Sequence, residues 1–270
     1  LKIWSARQVE YHKTRFLLSS HGGCLPSKFS SFQTHEEKIA DSRIVWHAPL
    51  TKKQVQLPAI KYVGRKVPVA VREDIVTLIG LGFGLFSYGM QSGPYSSLML
   101  DEFEQKKQFL TCSINHFNRK IGYFPPANQS WEFQSRFYDF IDEERISSFP
   151  DYHQALKKSK LVICSYPQTT FSDALFYGVP VVLLYTEKYW TFPSHFDFLL
   201  EELKRVKIVF NDPILAATHI NEIWDDPDEW WNSEEVKQVS LLLRAECVNF
   251  SESDIIEWHT FLKKQVQPLL

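Results

Sequence analysis

Leu161-Val-Ile-Cys-Ser-Tyr-Pro-Gln-Thr-Thr-Phe-Ser-Asp-Ala-Leu-Phe-Tyr-Gly-Val-Pro-Val-Val-Leu-Leu184 decides the fold. Leu161 to Cys164 is a short apolar run rich in β-branched residues, the pattern of a strand buried on both faces. Ser165 to Gln168 breaks it as a loop. Thr170 to Tyr177 reads as a helix with Thr169 or Thr170 as its N-cap, and Gly178 is its natural C-terminal stop. Val179 to Leu184 is the next apolar strand, with Pro180 near its start, where a missing donor is tolerated. Two fully apolar strands joined by a helix form a parallel crossover unit.

The same rhythm extends in both directions. Upstream, Asp74 to Ile79 reads as a buried parallel strand ending at Gly80. Tyr95 to Phe109 reads as a helix, with Leu98, Leu100, Phe103 and Phe109 at helical spacing. Lys120 to Phe124 follows as a strand, Trp131 to Phe140 as a helix and Tyr152 to Lys158 as a shorter one. Downstream, helices are expected over 194–204, 213–225, 233–248 and 253–266, with a strand over 207–210. Alternating strands and helices predict an α/β fold with a doubly wound, mostly parallel, Rossmann-like sheet over 73–270. Residues 1–48 are polar and rich in Ser and His. Residues 49–72 hold Pro49, Pro58 and Pro68 and read as a connector with short strands.

Composition narrows the function classes. The chain has 270 residues, 44% hydrophobic and 15% aromatic, with a formal net charge of −2. There is no basic excess of the kind that binds nucleic acid non-specifically. No apolar run approaches the roughly 20 residues of a membrane helix. The first residue is Leu1 and no leader-like pattern follows it, so the chain reads as a segment of a longer one, with a cytoplasmic location expected. Cys24, Cys112, Cys164 and Cys247 lie far apart and form no metal-binding or disulfide framework; Cys112 and Cys164 sit among apolar residues.

In doubly wound sheets ligands bind beyond the carboxyl ends of the strands, which directs attention to Gln168, Thr169, Thr170 and Asp173. The first amides of a helix lack internal partners and the dipole makes them electropositive, so a phosphate is stabilised there. The hydroxyls of Thr169 and Thr170 add donors, and Asp173, one turn on, is placed to accept from ribose hydroxyls. A plainer reading also fits, since Thr caps helices and Asp favours a first turn without any ligand. His21, beside Gly22 and Gly23, is a candidate for donor phosphate or the transferred sugar, or a turn residue. Asp41 and Glu36 are candidate carboxylates at a cleft, or members of a solvated face. Arg119 or Lys120 could assist with charge. Gly80-Leu-Gly-Phe-Gly84 lacks dinucleotide spacing and reads as a loop over the ligand, with Ser87 or Tyr88 touching it. Asp225-Asp226-Pro227-Asp228 reads as a helix end followed by a new cap, with Trp230 and Trp231 packing on a neighbour.

Three stretches in order resemble a family of transferases encoded with surface-carbohydrate genes. They are the 161–184 segment, His21-Gly-Gly with Glu36 or Glu37, Asp41 and Trp46, and Ile223-Trp-Asp-Asp-Pro-Asp-Glu-Trp-Trp-Asn-Ser233. The chain departs from the family pattern at Ser20, at Cys24-Leu25-Pro26 and at Asp173, where Gln, Tyr-Gly and Glu are usual. The resemblance implies a GT-B fold related to Kdo- and sialyl-type transferases, two facing Rossmann-like domains with the nucleotide held by the second. Residues 1–48 would then be the end of the acceptor-side domain, and the last helix, 253–266, would cross back to it. The implied activity is metal-independent transfer of a sugar from a nucleotide-sugar donor to a glycan or lipid-linked glycan acceptor, without a cofactor. Peripheral association with the inner membrane face would follow from such an acceptor. In this scheme Thr169, Thr170 and Gln168 meet the phosphate, Asp173 the ribose, Lys120 adds charge, and His21 and Asp41 serve the reacting end. Two other readings use the same architecture: a nucleotide-sugar epimerase or hydrolase, and a non-catalytic remnant that binds a nucleotide or a partner.

Overall fold

The computed structural model describes residues 2–20, 31–67, 69, 71–81, 96–113, 121–124, 133–146 and 149–266. The chain begins with α1 (Lys2–His12), β1 (Leu17–Ser19), α2 (Ser31–Ile39), β2 (Ser42–Val45) and β3 (Gln54–Gln56). These strands make a parallel sheet in the order β1-β2-β3. β3 lies inside the stretch read as a connector, so that stretch supplies an edge of the first sheet and then a 3-10 turn, Ile60–Tyr62.

The second sheet is larger. It contains β4 (Glu73–Ile79), β5 (Ile121–Phe124), β6 (Ser159–Cys164), β7 (Val181–Leu184) and β8 (Val209–Phe210), all parallel, in the order β5-β4-β6-β7-β8. The helices that follow are α3 (Ser96–Ser113), α4 (Phe133–Arg136), α5 (Tyr152–Lys158), α6 (Thr169–Tyr177), α7 (Asp197–Arg205), α8 (Pro213–Ile223), α9 (Pro227–Trp231), α10 (Glu234–Cys247) and α11 (Asp254–Val266). Successive side chains on a strand point to opposite faces, and the core divides accordingly. Val162, Cys164, Val181 and Leu183 face α5, α6, α7 and α10. Leu161, Ile163, Val182 and Leu184 face α3 and α8. With helices on both faces, β7 and the carboxyl-terminal part of β6, Leu161–Cys164, are apolar at every position.

Local chemistry explains the element ends. Gly178 takes φ +66° and its amide bonds back to Ala174 O and Leu175 O, closing α6 in the left-handed cap that glycine adopts without a Cβ clash. Asp212 and Asp226 each accept first-turn amides, and Pro213 and Pro227 begin the helices that follow. The last helix lies against the first sheet. Trp258 packs with Ile44 and Leu57, its indole N–H donates to Pro58 O at 2.8 Å, and Arg15 donates to Gln265 at 2.6 Å.

Three local expectations need correction. Of the helix expected over 131–140, the described residues are helical over Phe133–Arg136 and continue as turns. In α3, Leu100 is exposed, whereas Glu102 and Lys106 lie on the buried face with Leu98, Met99, Phe109 and Leu110. Cys112 is exposed, while Cys164 and Cys247 are buried.

Candidate functional site at the carboxyl ends of the second sheet

β4 passes by way of α3 to β5 on one side, and β6 passes by way of α6 to β7 on the other. The order therefore reverses between β4 and β6, and the crevice beyond their carboxyl ends is where an open α/β sheet holds a ligand. The turn Ser165–Gln168 starts in this crevice. Ser165 N donates to Ile79 O at 3.3 Å, and its hydroxyl lies 2.5 Å from Glu102 Oε1 and 3.0 Å from Ile79 O. The turn is thus anchored to both strands before the chain enters α6.

Gln168, not a threonine, is the N-cap of α6, and its side chain makes no capping bond. It is exposed, and Thr169 and Thr170 are half-buried. The mouth of the helix is therefore not closed by a side chain of its own cap residue. The Thr170 hydroxyl lies beside Tyr166, whose own hydroxyl burial pushes up to about 12 against the opposing effect of Thr170.

Asp173 has different surroundings from those its position in sequence implies. It is 2% exposed. Oδ1 accepts the Tyr62 hydroxyl at 2.7 Å, and Oδ2 accepts Lys61 Nζ at 2.6 Å and the Tyr152 hydroxyl at 3.2 Å. Tyr152 also reaches Thr170 O at 3.2 Å, and burial, then the Asp173 charge, raises its pKa. Tyr62 in turn stacks on Phe176 with ring centroids 4.3 Å apart. A carboxylate enclosed and matched in this way joins the segment after β3 to α6 and α5. These three donors surround the carboxylate expected to meet the ribose.

Asp41 also takes a backbone partner. It precedes β2, at the amino end of its strand, where its carboxylate accepts Phe16 N at 2.7 Å. This bond ties the entry of β2 to the entry of β1, at the end of the sheet opposite to the one where parallel sheets bind ligands. Glu36 lies 3.9 Å from Arg43. Glu37 accepts Thr51 at 2.5 Å and Gln54 at 2.8 Å, and the Thr51 bond heads the influences that lower its pKa. His21, Lys120, Arg119, Ser87 and Tyr88 lie outside the described residues, as does the loop beyond Leu81.

Sequence reading missed Glu102, Lys61, Tyr62 and Tyr152. Glu102 and Lys106 are spaced like an ordinary surface ion pair, and the only hint otherwise was their place among Leu98, Met99, Phe109 and Leu110. In the acidic stretch near the C-terminal end, Asp226 caps α9 through Glu229 N at 3.1 Å and Asp228 pairs with Arg72 at 2.6 Å. Trp230 donates to Val206 O at 3.2 Å. Among the described residues no cluster of His, Cys, Asp and Glu is arranged to hold a metal ion, and no helix is long and apolar enough to cross a membrane.

Solved structures are similar to this chain. A crystal structure of a TarM variant from S. aureus, obtained with fondaparinux, α-GlcNAc-glycerol and UDP, aligns with 93% of this chain and 51% of its own, at 12% identity and a TM-score of 0.53. The spinosyn forosaminyltransferase SpnP aligns with 84% of this chain and 55% of its own, at 13% identity and a TM-score of 0.44. The chain spans about half the length of these glycosyltransferases, and the likeness to TarM shows a GT-B-like fold. Comparison with curated proteins gives no match. The family model described as LIC12162 family transferase matches residues 1–262, and with that match added to the fold and to the strand–turn–helix at its centre, the chain belongs to the LIC12162 transferase family.

Proposed function

We propose that the chain carries the nucleotide-binding half of a glycosyltransferase, which moves a sugar from a nucleotide-sugar donor to a surface-glycan acceptor. The observation that carries this reading is the start of α6, beyond the carboxyl end of β6 at the switch point, with no side-chain cap from Gln168. Amides in the first turn of a helix and the helix dipole stabilise a phosphate, and Thr169 and Thr170 add donors. Membership of a transferase family and the TarM-like fold agree with it. TarM was crystallised with UDP, and UDP is therefore among the nucleotides to test, beside CMP for a donor of the Kdo or sialic-acid type.

In this reading the departing nucleotide is stabilised by fixed dipoles and protein donors rather than by a bound metal, and catalysis comes from that stabilisation and from positioning. His21 serves the reacting end of the donor, and Lys120 adds positive charge. An acceptor on a lipid carrier would bring the enzyme to a membrane face.

Calorimetric titration with UDP, CMP, GDP and CDP tests the reading, beside a Thr169→Ala/Thr170→Ala variant. One nucleotide bound by the wild type and lost in the variant supports it and names the donor class. A folded wild type that binds none of the four overturns it in favour of a non-catalytic, partner-binding chain.

A further inference from the structure

Residues 57–64, which lead from the first sheet toward the second, are held by four elements distant in sequence. Leu57 N donates to Val45 O at 3.1 Å, which ties the segment to β2. Pro58 O accepts the Trp258 indole N–H of α11 at 2.8 Å, and Ala59 N donates to Val248 O, at the end of α10, at 3.3 Å. Lys61 and Tyr62 bind the two oxygens of Asp173 on α6 at 2.6 and 2.7 Å. Gly64 N donates to Asp254 Oδ2, in the first turn of α11, at 2.9 Å.

A hinge absorbs its motion in a few residues with low contact density and exposed backbone. This segment is built the other way. Ala59 and Tyr62 belong to the same buried cluster as Trp46, at the end of β2, and as Phe176 and Val248 of the second unit. The core is therefore continuous from one sheet to the other. Gly64 has φ +71°, and a Cβ there would lie 3.5 Å from Ile255 Cδ1, so α11 packs closely on the turn. The same helix packs on the first sheet, with Trp258 against Ile44 and Leu57. Asp173 and Asp254 are both buried. Swinging one sheet against the other would take their partners away, and a buried carboxylate without partners is costly.

We propose that residues 57–64 are a clasp and not a hinge. The first sheet, α11 and the second sheet form one cooperative unit, and Asp173 and Asp254 set the orientation of the two sheets. A ligand held beyond β6 is then presented to the first sheet at a fixed spacing. This holds whatever that ligand is, so it does not depend on the nucleotide-binding reading.

Hydrogen exchange followed by mass spectrometry, on the full chain at rising sub-denaturing urea, tests it. The peptides to follow cover β2, Ser42–Val45, and β6, Ser159–Cys164. The expected result in the wild type is a shared opening, with protection of the two strands converging to within about threefold as urea rises. Protection of β2 that stays lower by about tenfold or more shows a first sheet that opens alone, and overturns the proposal. Asp254→Ala then tests the pin itself. It should lower β2 protection by about tenfold or more while β6 stays within about threefold of wild type. An equal loss in both strands, or a loss in neither, overturns the role given to Asp254. If that variant does not fold, the wild-type comparison decides by itself.

Discussion

Lys61 Nζ lies 2.6 Å from Asp173 Oδ2, joining the 3-10 turn after β3 to the second turn of α6 across 112 residues of chain. The anion is enclosed and the cation is 27% exposed, so the pair faces the protein on one side and water on the other. Tyr62 and Tyr152 complete the shell around the carboxylate. The start of α6 and the segment leaving the first sheet are thus fixed relative to each other by one side chain.

Asp173→Ala should lower stability by about 3 kcal/mol, because it leaves two tyrosine hydroxyls and an ammonium group without their shared acceptor. Denaturant unfolding of the two proteins measures it. A loss below about 1 kcal/mol would mean that water replaces the carboxylate readily and that the junction is held by the Tyr62–Phe176 stack instead.

His219 sets an acid limit on stability. Its ring is 3% exposed and lies between Phe210 and Trp230, with centroids 5.6 Å and 4.9 Å away. Burial foremost, then the Lys207 charge, pushes its pKa down from 6.5 to about 4, with Glu222 opposing. Between these values the unfolded chain binds a proton that the folded chain does not, so stability is complete above pH 6.5 and falls as the pH drops toward 4. The loss between pH 7 and pH 5 from this residue should be about 2 kcal/mol. Urea unfolding at both values, for wild type and His219→Leu, checks it: the substitution should shrink the difference by that amount, and an unchanged difference would show that other groups set the limit.

Gly178→Ala should cost about 1 kcal/mol through backbone conformation alone. Gly178 has φ +66° and nothing stands within 4 Å of where a Cβ would be, so no clash contributes. Asn tolerates the left-handed region better than Ala, and Gly178→Asn should therefore recover part of the loss in thermal melts. Equal losses for the two substitutions would point to a contact rather than to φ.

Much of the second sheet was legible without coordinates. Leu161–Cys164 and Val181–Leu184 are apolar at every position because helices cover both faces, and a run of that kind has few other uses. Gly178 marked the end of α6 because a left-handed cap selects glycine. The start of α6 was readable only to within a residue or two, since Gln168, Thr169 and Thr170 all tolerate the extended backbone of a cap. The helix expected over 131–140 failed because apolar spacing alone does not decide whether turns continue beyond Arg136.

By itself, then, the sequence determined how strands and helices alternate along the second sheet and where α6 ends. Those features rest on local periodicity and on residues with special backbone preferences. Which carboxylates are buried and matched was decided only by tertiary structure. Asp173 is matched by Lys61 and Tyr62, more than a hundred residues upstream. Glu102 and Lys106, spaced like a surface pair, are buried because α3 turns that side toward the sheet and leaves Leu100 in water. The charge pattern of a helix is the same in either orientation, and only the packing of distant segments selects the face that leaves solvent.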